Sequence, residues 1–548
     1  MTRTKKTYAA NAAVIVTIVA AAILAFAVAS PPANPEFATE AARTTSVIVQ
    51  GPEVETVVRL VEDVGGTVSH ELGIIRAVAA QVTPAQHEEL GRVQGLHLMA
   101  DRTATVSGTP QPDTVYPTLI GAAALHKQGI LGSGVTVAVL DTGAWNGDQI
   151  SRNTSRRWRI LEGYDAVENT MSLDSAKDSF GHGSHVTSVI ASSGKTRKSK
   201  LYNGVAPDVD LVIVRAFDAN GSGTYSDVIR GLDWIVSNKD SFGIRVLNLS
   251  FSAPAQSHYW DDPLNQAVMA AWQAGIVVVA SAGNTGPGAM TIGVPGNLPY
   301  IITVGAMSDA VTTKDSSDDF LASFSSAGPT VEGFVKPEIV APGGHMLGIM
   351  RNTHPLGNQH PEYYLTSNTY VMSGTSQAAG VVSGVAALLL QAEPGLTPDD
   401  VKCRLMSSAR PAVDAAGELG YSVFQQGTGM VHASDAIEGT ATGCANRGLN
   451  IDNDLNGTEH YAGLARQAAD GSYYLLGYDG YLWSDGYLWS DGYLWSDGFA
   501  WNDGFAWNDG FAWNDGFAWN DGFAWNDGYL WSDSLTEPMS INTWVEQE

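Results

Sequence analysis

The segment Ser373-Gly-Thr-Ser376 contains a serine at the point where a glycine turn leads into a run of small and apolar residues. Such a run predicts a buried helix that begins near Ser376. The first turn of a helix has unpaired N–H groups and the positive end of the dipole, which favour developing negative charge. Serine and threonine are also preferred helix caps. The segment alone leaves two interpretations open, a helix cap and a catalytic nucleophile.

Three other polar residues follow predicted buried strands or open predicted helices. Asp141 and Asn284 each come after a continuous apolar run, and His182 lies in a glycine-rich turn before a helix. Strands alternating with helices in this way predict an α/β fold with a mostly parallel sheet that helices cover on both faces. Ligands bind beyond the carboxyl ends of such strands. We therefore expect Asp141, His182, Asn284 and Ser376 at one edge of the sheet.

These four residue types can perform nucleophilic catalysis together. A serine hydroxyl is a weak nucleophile, so Ser376 needs a base within hydrogen-bonding reach. His182 could take the proton, while Asp141 could hold the other ring nitrogen and stabilise the imidazolium. Asn284 could donate its side-chain amide to the oxyanion, together with the backbone N–H of Ser376. The set predicts hydrolysis through an acyl-enzyme.

The blocks that contain these residues resemble those of the subtilisin-like serine peptidases, in the order found in that family. The resemblance extends over about residues 115–440 and implies a catalytic domain at 113–440 that acts on proteins or peptides. It also implies that no cofactor is needed for the chemistry. The matching blocks are Val139-Leu-Asp-Thr-Gly143, Gly181-His-Gly-Ser-His-Val186, Ser281-Ala-Gly-Asn284 and Ser373-Gly-Thr-Ser376.

Some neighbouring residues fit the family pattern and others depart from it. Gln377 stands where the family usually has methionine, and Gly380 stands where it has proline. A glycine in the first turn is expected to loosen the helix start. His185 has no metal-ligand spacing from His182 and is expected to be structural. The family strand that pairs with the substrate backbone is resembled by Ser250, Phe251 and Ser252.

Two other functions compete with the peptidase. One is a catalytically inactive, subtilisin-like protein that binds or adheres to surfaces, and the intact set of catalytic residue types argues against it. The other is an esterase or acyltransferase with the same triad. The peptide-strand resemblance of residues 250–252 favours protein substrates.

The composition and the N-terminus indicate an exported protein. The chain has 30 basic and 57 acidic residues, and its net charge of −27 disfavours nucleic acid as a partner. Residues 1–29 have a basic start, an apolar run and a small-x-small cleavage triplet, as a signal peptide does. The apolar run is also close to spanning length, so a retained anchor is the alternative. We expect a secreted, monomeric protein.

Residues 30–112 precede the catalytic domain, and from about residue 45 they predict a small βαββαβ unit. This α+β segment resembles the propeptide of the same family. The resemblance implies a precursor whose propeptide acts as an intramolecular inhibitor and is cut between Asp101 and Thr118. The alternative is an accessory domain that stays attached.

The chain has two cysteines, Cys403 and Cys444. In an oxidising compartment they could form a disulfide between a late helix of the catalytic domain and the segment that leaves it. Two free buried thiols are the alternative.

Residues 441–480 predict an acidic connector or a small β segment. Asp452-Asn-Asp454-Leu-Asn456-Gly457 has the first half of a calcium-loop spacing, but Gly463 occupies the position of the bidentate glutamate. A structural calcium site and a simple Asx/Gly turn are both open interpretations.

Residues 481–534 form a six-residue repeat, which a tail at 535–548 follows. The repeat has three copies of Tyr-Leu-Trp-Ser-Asp-Gly, five of Phe-Ala-Trp-Asn-Asp-Gly and a final Tyr-Leu-Trp-Ser-Asp-Ser. A fixed short period suggests copies that pack on one another, with Asp-Gly turns between them. The repeats predict a module that binds a surface or a polymer. A packed spacer and a disordered tail are the alternatives.

Overall fold

The structure is a computed structural model. It describes residues 45–476 except 94, 102, 106–114, 175, 197–199, 310–318, 367, 414–418 and 469. The predictions for the signal peptide, the repeats and the C-terminal tail lie outside the described residues. The contacts within the chain divide it into a smaller unit, Met1–Glu71 with Arg76–Ala100, and a larger unit, Leu72–Ile75 with Asp101–Glu548.

The smaller unit has a four-stranded sheet and two helices in the predicted βαββαβ order. The sheet order is β2-β3-β1-β4, and β1 lies antiparallel to both β3 and β4. Val57 and Val61 of the first helix pack into its core. Its elements are β1 (Thr45–Gln50), α1 (Val54–Asp63), β2 (Thr67–Leu72), β3 (Ala77–Val82), α2 (Pro84–Gly91) and β4 (His97–Ala100).

The sequence predicts the last strand of this region over residues 96–106, and the structure has two short strands there. After β4 the chain turns, and β5 (Thr103–Thr105) pairs antiparallel with β10 (Ser222–Thr224) of the larger unit. The Asp101 carboxylate lies between the two strands and accepts hydrogen bonds from the Ser226 backbone N–H at 3.1 Å and hydroxyl at 2.8 Å. The bonds from Ser226 to Asp101 give a physical reason why the chain is interrupted between β4 and β5.

The larger unit is built on a nine-stranded, mostly parallel sheet with the order β14-β13-β12-β11-β6-β9-β7-β8, in which β15 also pairs with β13. Only β8 and β14 pair antiparallel with their neighbours. Every residue of β6 is buried, as expected for a strand covered on both faces. The strands are β6 (Thr136–Asp141), β7 (Ile160–Asp165), β8 (Thr170–Met171), β9 (Asp210–Arg215), β11 (Ile244–Leu249), β12 (Val277–Ser281), β13 (Ile302–Ser308), β14 (Phe320–Leu321) and β15 (Ile339–Pro342).

Helices cover this sheet, which gives the predicted α/β fold. α6 packs against α10, α7 packs against α8, and both pairs contact the sheet. The helices are α3 (Tyr116–Leu119), α4 (Ala122–Lys127), α5 (Asp148–Ser151), α6 (His182–Ala191), α7 (Tyr225–Phe242), α8 (Pro263–Gln273), α9 (Pro355–Gln359), α10 (Thr375–Ala392), α11 (Pro398–Ser407), α12 (Val423–Gln426), α13 (Ala433–Glu438) and α14 (Ile451–Asn456). Among the described residues α10 alone has the length and apolar composition of a membrane span, and 89% of it is buried inside the protein.

Short elements complete the larger unit. A three-stranded sheet has the order β16-β18-β17, and β19 pairs with β20. Single turns of 3-10 helix occur at Gly73–Ile75 and Pro361–Tyr363. The strands are β16 (Met346–Ile349), β17 (Tyr364–Thr366), β18 (Thr369–Met372), β19 (Ala465–Gln467) and β20 (Tyr473–Leu475).

The segment with calcium-loop spacing is the short helix α14. The Asn450 side chain caps it by accepting hydrogen bonds from the backbone N–H groups of Asp452 and Asn453. The Asp454 carboxylate is buried and accepts bonds from the hydroxyls of Tyr259 and Tyr300. Across the described ranges no three His, Cys, Asp or Glu side chains form a group that could hold a metal. Structural calcium therefore stays a prediction without a site in this segment.

Cys403 and Cys444 form a disulfide, with their Cα atoms 5.2 Å apart. Both residues are buried. The bond ties α11 to the chain that leaves the catalytic region, so of the two alternatives the structure has the disulfide.

Candidate active site

Three adjacent strands bring polar residues to one edge of the large sheet. β12, β11 and β6 are neighbours in the sheet and run parallel. Asp141 is the last residue of β6, Ser250 directly follows β11, and Asn284 comes three residues after β12. The carboxyl ends of parallel strands meet at one edge. The predicted edge therefore exists, and the helices α6 and α10 begin beside it.

The Asp141 carboxylate contacts the His182 imidazole in the protein interior. His182 Nδ1 lies 2.9 Å from Asp141 Oδ1 and 3.0 Å from Oδ2, and both residues are about fully buried. Asp141 Oδ1 also accepts a hydrogen bond from the Thr142 backbone N–H at 2.7 Å. These contacts fix the carboxylate and leave Nε2 as the ring nitrogen for chemistry at the sheet edge.

A second buried carboxylate, Asp178, organises the turn that leads into His182. Its Oδ1 accepts bonds from the backbone N–H groups of Phe180 (2.9 Å) and Gly181 (2.7 Å) and from the Thr142 hydroxyl (2.9 Å). Its Oδ2 accepts bonds from the N–H and hydroxyl of Ser184. Ionised carboxylates accept such bonds strongly. Asp178 thus holds the first turn of α6 and the residue after Asp141 in one network.

Gly183 allows α6 to approach the end of β6. Its N–H donates to the Thr142 hydroxyl at 2.8 Å. A Cβ atom at this position would lie 2.1 Å from the Gly143 carbonyl oxygen and 3.0 Å from Asp141 Oδ1. Any side chain here would push His182 away from Asp141.

Ser376 lies in the first turn of α10 and is buried. Its hydroxyl donates to the Ser250 carbonyl oxygen at 3.1 Å, and the Ser250 hydroxyl donates to the Ser376 carbonyl oxygen at 2.9 Å. Asn248 Nδ2 in turn donates to Ser250 Oγ at 2.8 Å. The start of α10 is therefore hydrogen-bonded to the end of β11.

Asn284 presents an unused donor at the start of α10. Its Oδ1 accepts bonds from the Thr375 backbone N–H at 3.0 Å and hydroxyl at 2.8 Å. Its Nδ2 is buried and has no acceptor among the described residues. A buried amide donor without a partner costs free energy. The pairing of Oδ1 orients this donor beside the residue that precedes Ser376.

A contact between His185 and Gln377 connects the starts of α6 and α10. His185 Nδ1 lies 3.4 Å from Gln377 Nε2, and its Nε2 lies 3.3 Å from the Tyr370 carbonyl oxygen. Complete burial lowers the pKa of His185 to about 3, so the ring is neutral. His185 is one turn after His182, and Gln377 follows Ser376. The expected structural role of His185 thus takes the form of a link between the helices that carry His182 and Ser376.

The three residues predicted to pair with the substrate backbone follow β11, and their side chains are buried. Ser250 and Phe251 are fully buried, and the Phe251 ring packs against Phe217 with a centroid distance of 5.2 Å. Ser250 fixes Ser376, and Ser252 is 8% exposed. Pairing of the substrate backbone with residues 250–252 stays a prediction.

The sequence analysis missed Asp178, Thr142 and Thr375. Asp178 lies four residues before His182 in Asp-Ser-Phe-Gly-His, a spacing typical of an aspartate that accepts bonds from the N–H groups of the following turn. That signal was available. Thr142 and Thr375 simply adjoin Asp141 and Ser376, and nothing in the sequence says which way their hydroxyls point.

Known proteins of one family are similar to this chain. The subtilase family model matches residues 132–431, which is 300 of the 548 residues. Serine protease AprX of Bacillus subtilis (strain 168) is 38% identical over 319 residues, or 57% of this chain and 68% of AprX. Subtilisin DY of Bacillus licheniformis is 33% identical over 323 residues, or 58% of this chain and 97% of the relative.

A solved structure has the same fold. The crystal structure of fervidolysin from Fervidobacterium pennivorans, described as a keratinolytic enzyme related to subtilisin, matches with a TM-score of 0.57 at 22% identity. The match covers 74% of this chain and 62% of fervidolysin, and at this identity it supports the fold alone. With the family match and the relatives, it places a subtilisin-like fold around the site. The chain belongs to the subtilase family and is a serine endopeptidase that acts on proteins or peptides.

Proposed function

We propose that this endopeptidase is secreted and hydrolyses peptide bonds through Asp141, His182 and Ser376, with Asn284 in the oxyanion hole. The contact of the Asp141 carboxylate with His182 Nδ1 is the observation that carries the proposal. It fixes the ring so that Nε2 is the nitrogen that can accept a proton. A buried carboxylate also stabilises the imidazolium that forms when His182 takes that proton.

In the proposed reaction the Ser376 hydroxyl oxygen attacks the carbonyl carbon of the scissile peptide bond while its proton passes to His182. The tetrahedral intermediate collapses as His182 returns the proton to the leaving amine. Water then repeats the two steps on the acyl-enzyme and releases the acid product. The position of Ser376 in the first turn of α10 favours the oxyanion, since the positive end of the helix dipole lies there.

The orientation of Asn284 supports its assignment as an oxyanion donor. The backbone N–H and the hydroxyl of Thr375 both donate to Asn284 Oδ1, so the amide nitrogen of Asn284 faces away from Thr375. The nitrogen is buried and has no acceptor among the described residues. A substrate oxyanion would supply the missing acceptor. The donor would then be satisfied in the transition state and not in the free enzyme, which is the condition for catalysis.

We further propose that the smaller unit is an inhibitory propeptide. The chain that leaves this unit forms a two-stranded antiparallel sheet, in which β5 pairs with β10 through backbone hydrogen bonds, as an extended peptide does when it binds a strand. The Asp101 carboxylate also lies at the N-terminus of α7, where negative charge is favoured. These bonds would hold the segment in place until cleavage. We place that cleavage between Thr105 and Val115, within the range expected from the sequence.

Covalent labelling tests the catalytic assignment. A fluorophosphonate should label the mature protein at Ser376, and the variant Ser376→Ala should take up no label. That variant should lose activity on casein by about a million-fold, the size known from subtilisin itself. Labelling at a different serine would contradict the assignment. Turnover of simple esters without turnover of casein would favour the esterase alternative.

Protein chemistry on the secreted material tests the propeptide. The Ser376→Ala variant should accumulate as a precursor, whereas the wild-type chain should begin between residues 106 and 115. Adding the wild-type enzyme in trans shows whether the accumulated precursor can be cut. A mature wild-type protein that keeps residues 45–105 covalently attached would identify the smaller unit as an accessory domain.

A further inference from the structure

A basic groove lies on the larger unit at the end of α6 that is remote from His182. It has a volume of about 620 Å³ and lies between α5 and the chain that follows α6. His182 begins α6 and Ala191 ends it, so the helix separates the groove from the catalytic histidine by about 14 Å. The residues that give the groove its character are Asp148, Gln149, Arg152, Arg156, Lys195 and Tyr202.

The charge of this groove is opposite to that of the protein. Arg152, Arg156 and Lys195 line it with three positive charges, against one negative charge from Asp148. Asp148 pairs with Arg152 at 3.5 Å, but both side chains are exposed, at 89% and 45%, so this pair contributes little. A positive groove on a chain of net charge −27 focuses the local field on anionic ligands.

The cations are available to a ligand. Arg156 and Lys195 are exposed, and among the described residues neither forms an ion pair. Lys195 Nζ lies 4.2 Å from the centroid of the Tyr202 ring, and Arg152 Cζ lies 6.0 Å from that of Trp158. Trp158 is itself 42% exposed. The groove thus offers cations together with the half-buried Tyr202 ring, and the exposed Trp158 ring lies beside Arg152, which suits a ligand that is both acidic and aromatic.

A buried arginine holds the two walls of the groove together. The Arg159 guanidinium donates to the carbonyl oxygens of Gln149, Ile150 and Pro207 at 2.5 to 2.8 Å, and also to that of Ala191. The Gln149 carbonyl also accepts the Ser193 N–H at 2.9 Å. Both α5, through Gln149 and Ile150, and the end of α6, through Ala191, are therefore bonded to the Arg159 guanidinium. The groove is a preorganised surface, which lowers the cost of binding.

The C-terminal segment of the same chain has the matching composition. Residues 477–548 contain 13 acidic residues and no Lys, Arg or His, so they supply almost half of the net negative charge. Each hexapeptide of residues 481–534 has two aromatic side chains and one aspartate. The nine copies give one groove many equivalent ligands, which raises the effective concentration of each.

We infer that the acidic aromatic repeats, residues 481–534, bind the basic groove formed by Arg152, Arg156 and Lys195. An aspartate of one repeat would pair with the cations, and its tryptophan would stack on an arginine or on the exposed rings. Reach does not limit the interaction, because 54 repeat residues can extend up to about 180 Å. The repeats would then serve as a ligand for the enzyme's own surface, in addition to any external polymer.

Zero-length cross-linking on the full chain tests this inference. A carbodiimide couples a carboxylate only to an amine that it contacts, so Lys195 Nζ is a built-in reporter. The Ser376→Ala background prevents self-digestion. We expect peptide mapping to find Lys195 joined to repeat aspartates in 50 mM salt. In 1 M salt the yield should fall about tenfold, because the Debye length shortens to about 3 Å.

Two pairs of charge reversals separate the groove from general attraction to an acidic tail. Arg152→Glu with Arg156→Glu should lower the Lys195 cross-link about tenfold, since two favourable pairs become repulsive. Arg59→Glu with Lys127→Glu changes the net charge equally at exposed sites elsewhere and should leave the yield unchanged. Circular dichroism checks that the variants are folded.

Experiments that leave the groove unchanged can also overturn the inference. Replacing the nine repeat aspartates by asparagine should remove the Lys195 cross-link. Equal coupling of repeat aspartates to Lys127, Lys195 and Lys239 would show unspecific attraction and would overturn the inference. So would the absence of any cross-link between Lys195 and residues 481–534.

Discussion

The five longer helices of the larger unit begin in two different ways. Thr224 and Thr397 start α7 and α11 with capping boxes, and Asp262 starts α8 by accepting two backbone N–H bonds. Gly181 and Gly374 start α6 and α10, and neither helix has a side-chain cap from its first residue. The two helices without such caps are the ones that carry His182 and Ser376.

The two kinds of helix start are stabilised by different sets of residues. A capping box closes within four residues, so the sequence near the helix is sufficient. The N–H of Gly183 in α6 bonds to Thr142, which is 41 residues away in the chain, and the Thr375 N–H of α10 bonds to Asn284, which is 91 residues away. Asp178 is close in sequence to α6, but it ties this turn to the Thr142 hydroxyl. Remote groups thus position the catalytic helices. Loss of a remote group should harm catalysis, whereas loss of a local cap should harm stability alone.

Removing Asp178 should produce the largest effect. Asp178→Ala leaves five donors without their acceptor, four of them from the turn that carries His182 or its first helical turn. We expect the free energy of unfolding to fall by about 3–5 kcal/mol. We also expect kcat to fall at least about a hundredfold through misplacement of His182. Urea denaturation and casein assays measure the two quantities.

The variant Asp178→Asn is the matched control, because it keeps one acceptor oxygen and the volume of the side chain. Both losses should be intermediate. Normal kcat in Asp178→Ala would mean that the turn into α6 is held by other groups.

Removing the amide of Asn284 should affect activity more than stability. Asn284→Ala should lower kcat by about 10²–10³, the range known for this donor in subtilisin, with little change in KM. Asn284→Asp keeps an acceptor for Thr375 but has no N–H to donate. It should therefore lose a similar factor in kcat. Steady-state kinetics on one peptide substrate compare the variants, and an active Asn284→Asp enzyme would refute the donor role.

His185 should make the link between the two catalytic helices sensitive to acid. Burial lowers its pKa from 6.5 to about 3, so between these values the unfolded chain binds a proton that the folded protein does not. The contribution of the neutral, buried His185 to the free energy of unfolding is complete above pH 6.5 and is lost as the pH falls toward 3. From pH 7 to pH 4 the loss amounts to about 3 kcal/mol.

The test of this pH dependence uses His185→Gln in the Ser376→Ala background. Glutamine can still donate to the Tyr370 carbonyl but does not titrate. The variant should be less stable at pH 7 and should lose less stability between pH 7 and pH 4. Equal pH slopes in denaturation curves would show that other groups cause the acid sensitivity.

Thr397 offers the contrasting case of a local cap. Its hydroxyl and the Asp400 side chain form a capping box at the surface, far in sequence from the catalytic residues. Thr397→Ala should cost about 1 kcal/mol of stability. Its kcat should equal that of the wild type. A fall in kcat would break the distinction between the two kinds of helix start.

Local patterns predicted much of this molecule. Alternating apolar strands and helices gave the parallel sheet, and strand ends placed Asp141 and Asn284 at one edge. The sequence did not reveal that Phe251 faces the core or that Ser250 holds Ser376, because both depend on which strands and helices pack around that point. The Asn284–Thr375 bond joins distant residues, and only the folded chain defines it.

The smallest predicted effect concerns Gly380 on α10, for which Gly384, one turn further on, is the control. A Cβ atom on Gly380 would meet Val186 at 3.5 Å, an ordinary contact, so Gly380→Ala should raise stability by about 0.5–1 kcal/mol through helix propensity. On Gly384 it would lie 2.6 Å from the Val205 Cβ. Gly384→Ala should therefore lose about 1–3 kcal/mol. Melting temperatures of both variants decide the matter, and destabilisation by Gly380→Ala would show that the start of α10 needs the freedom of glycine.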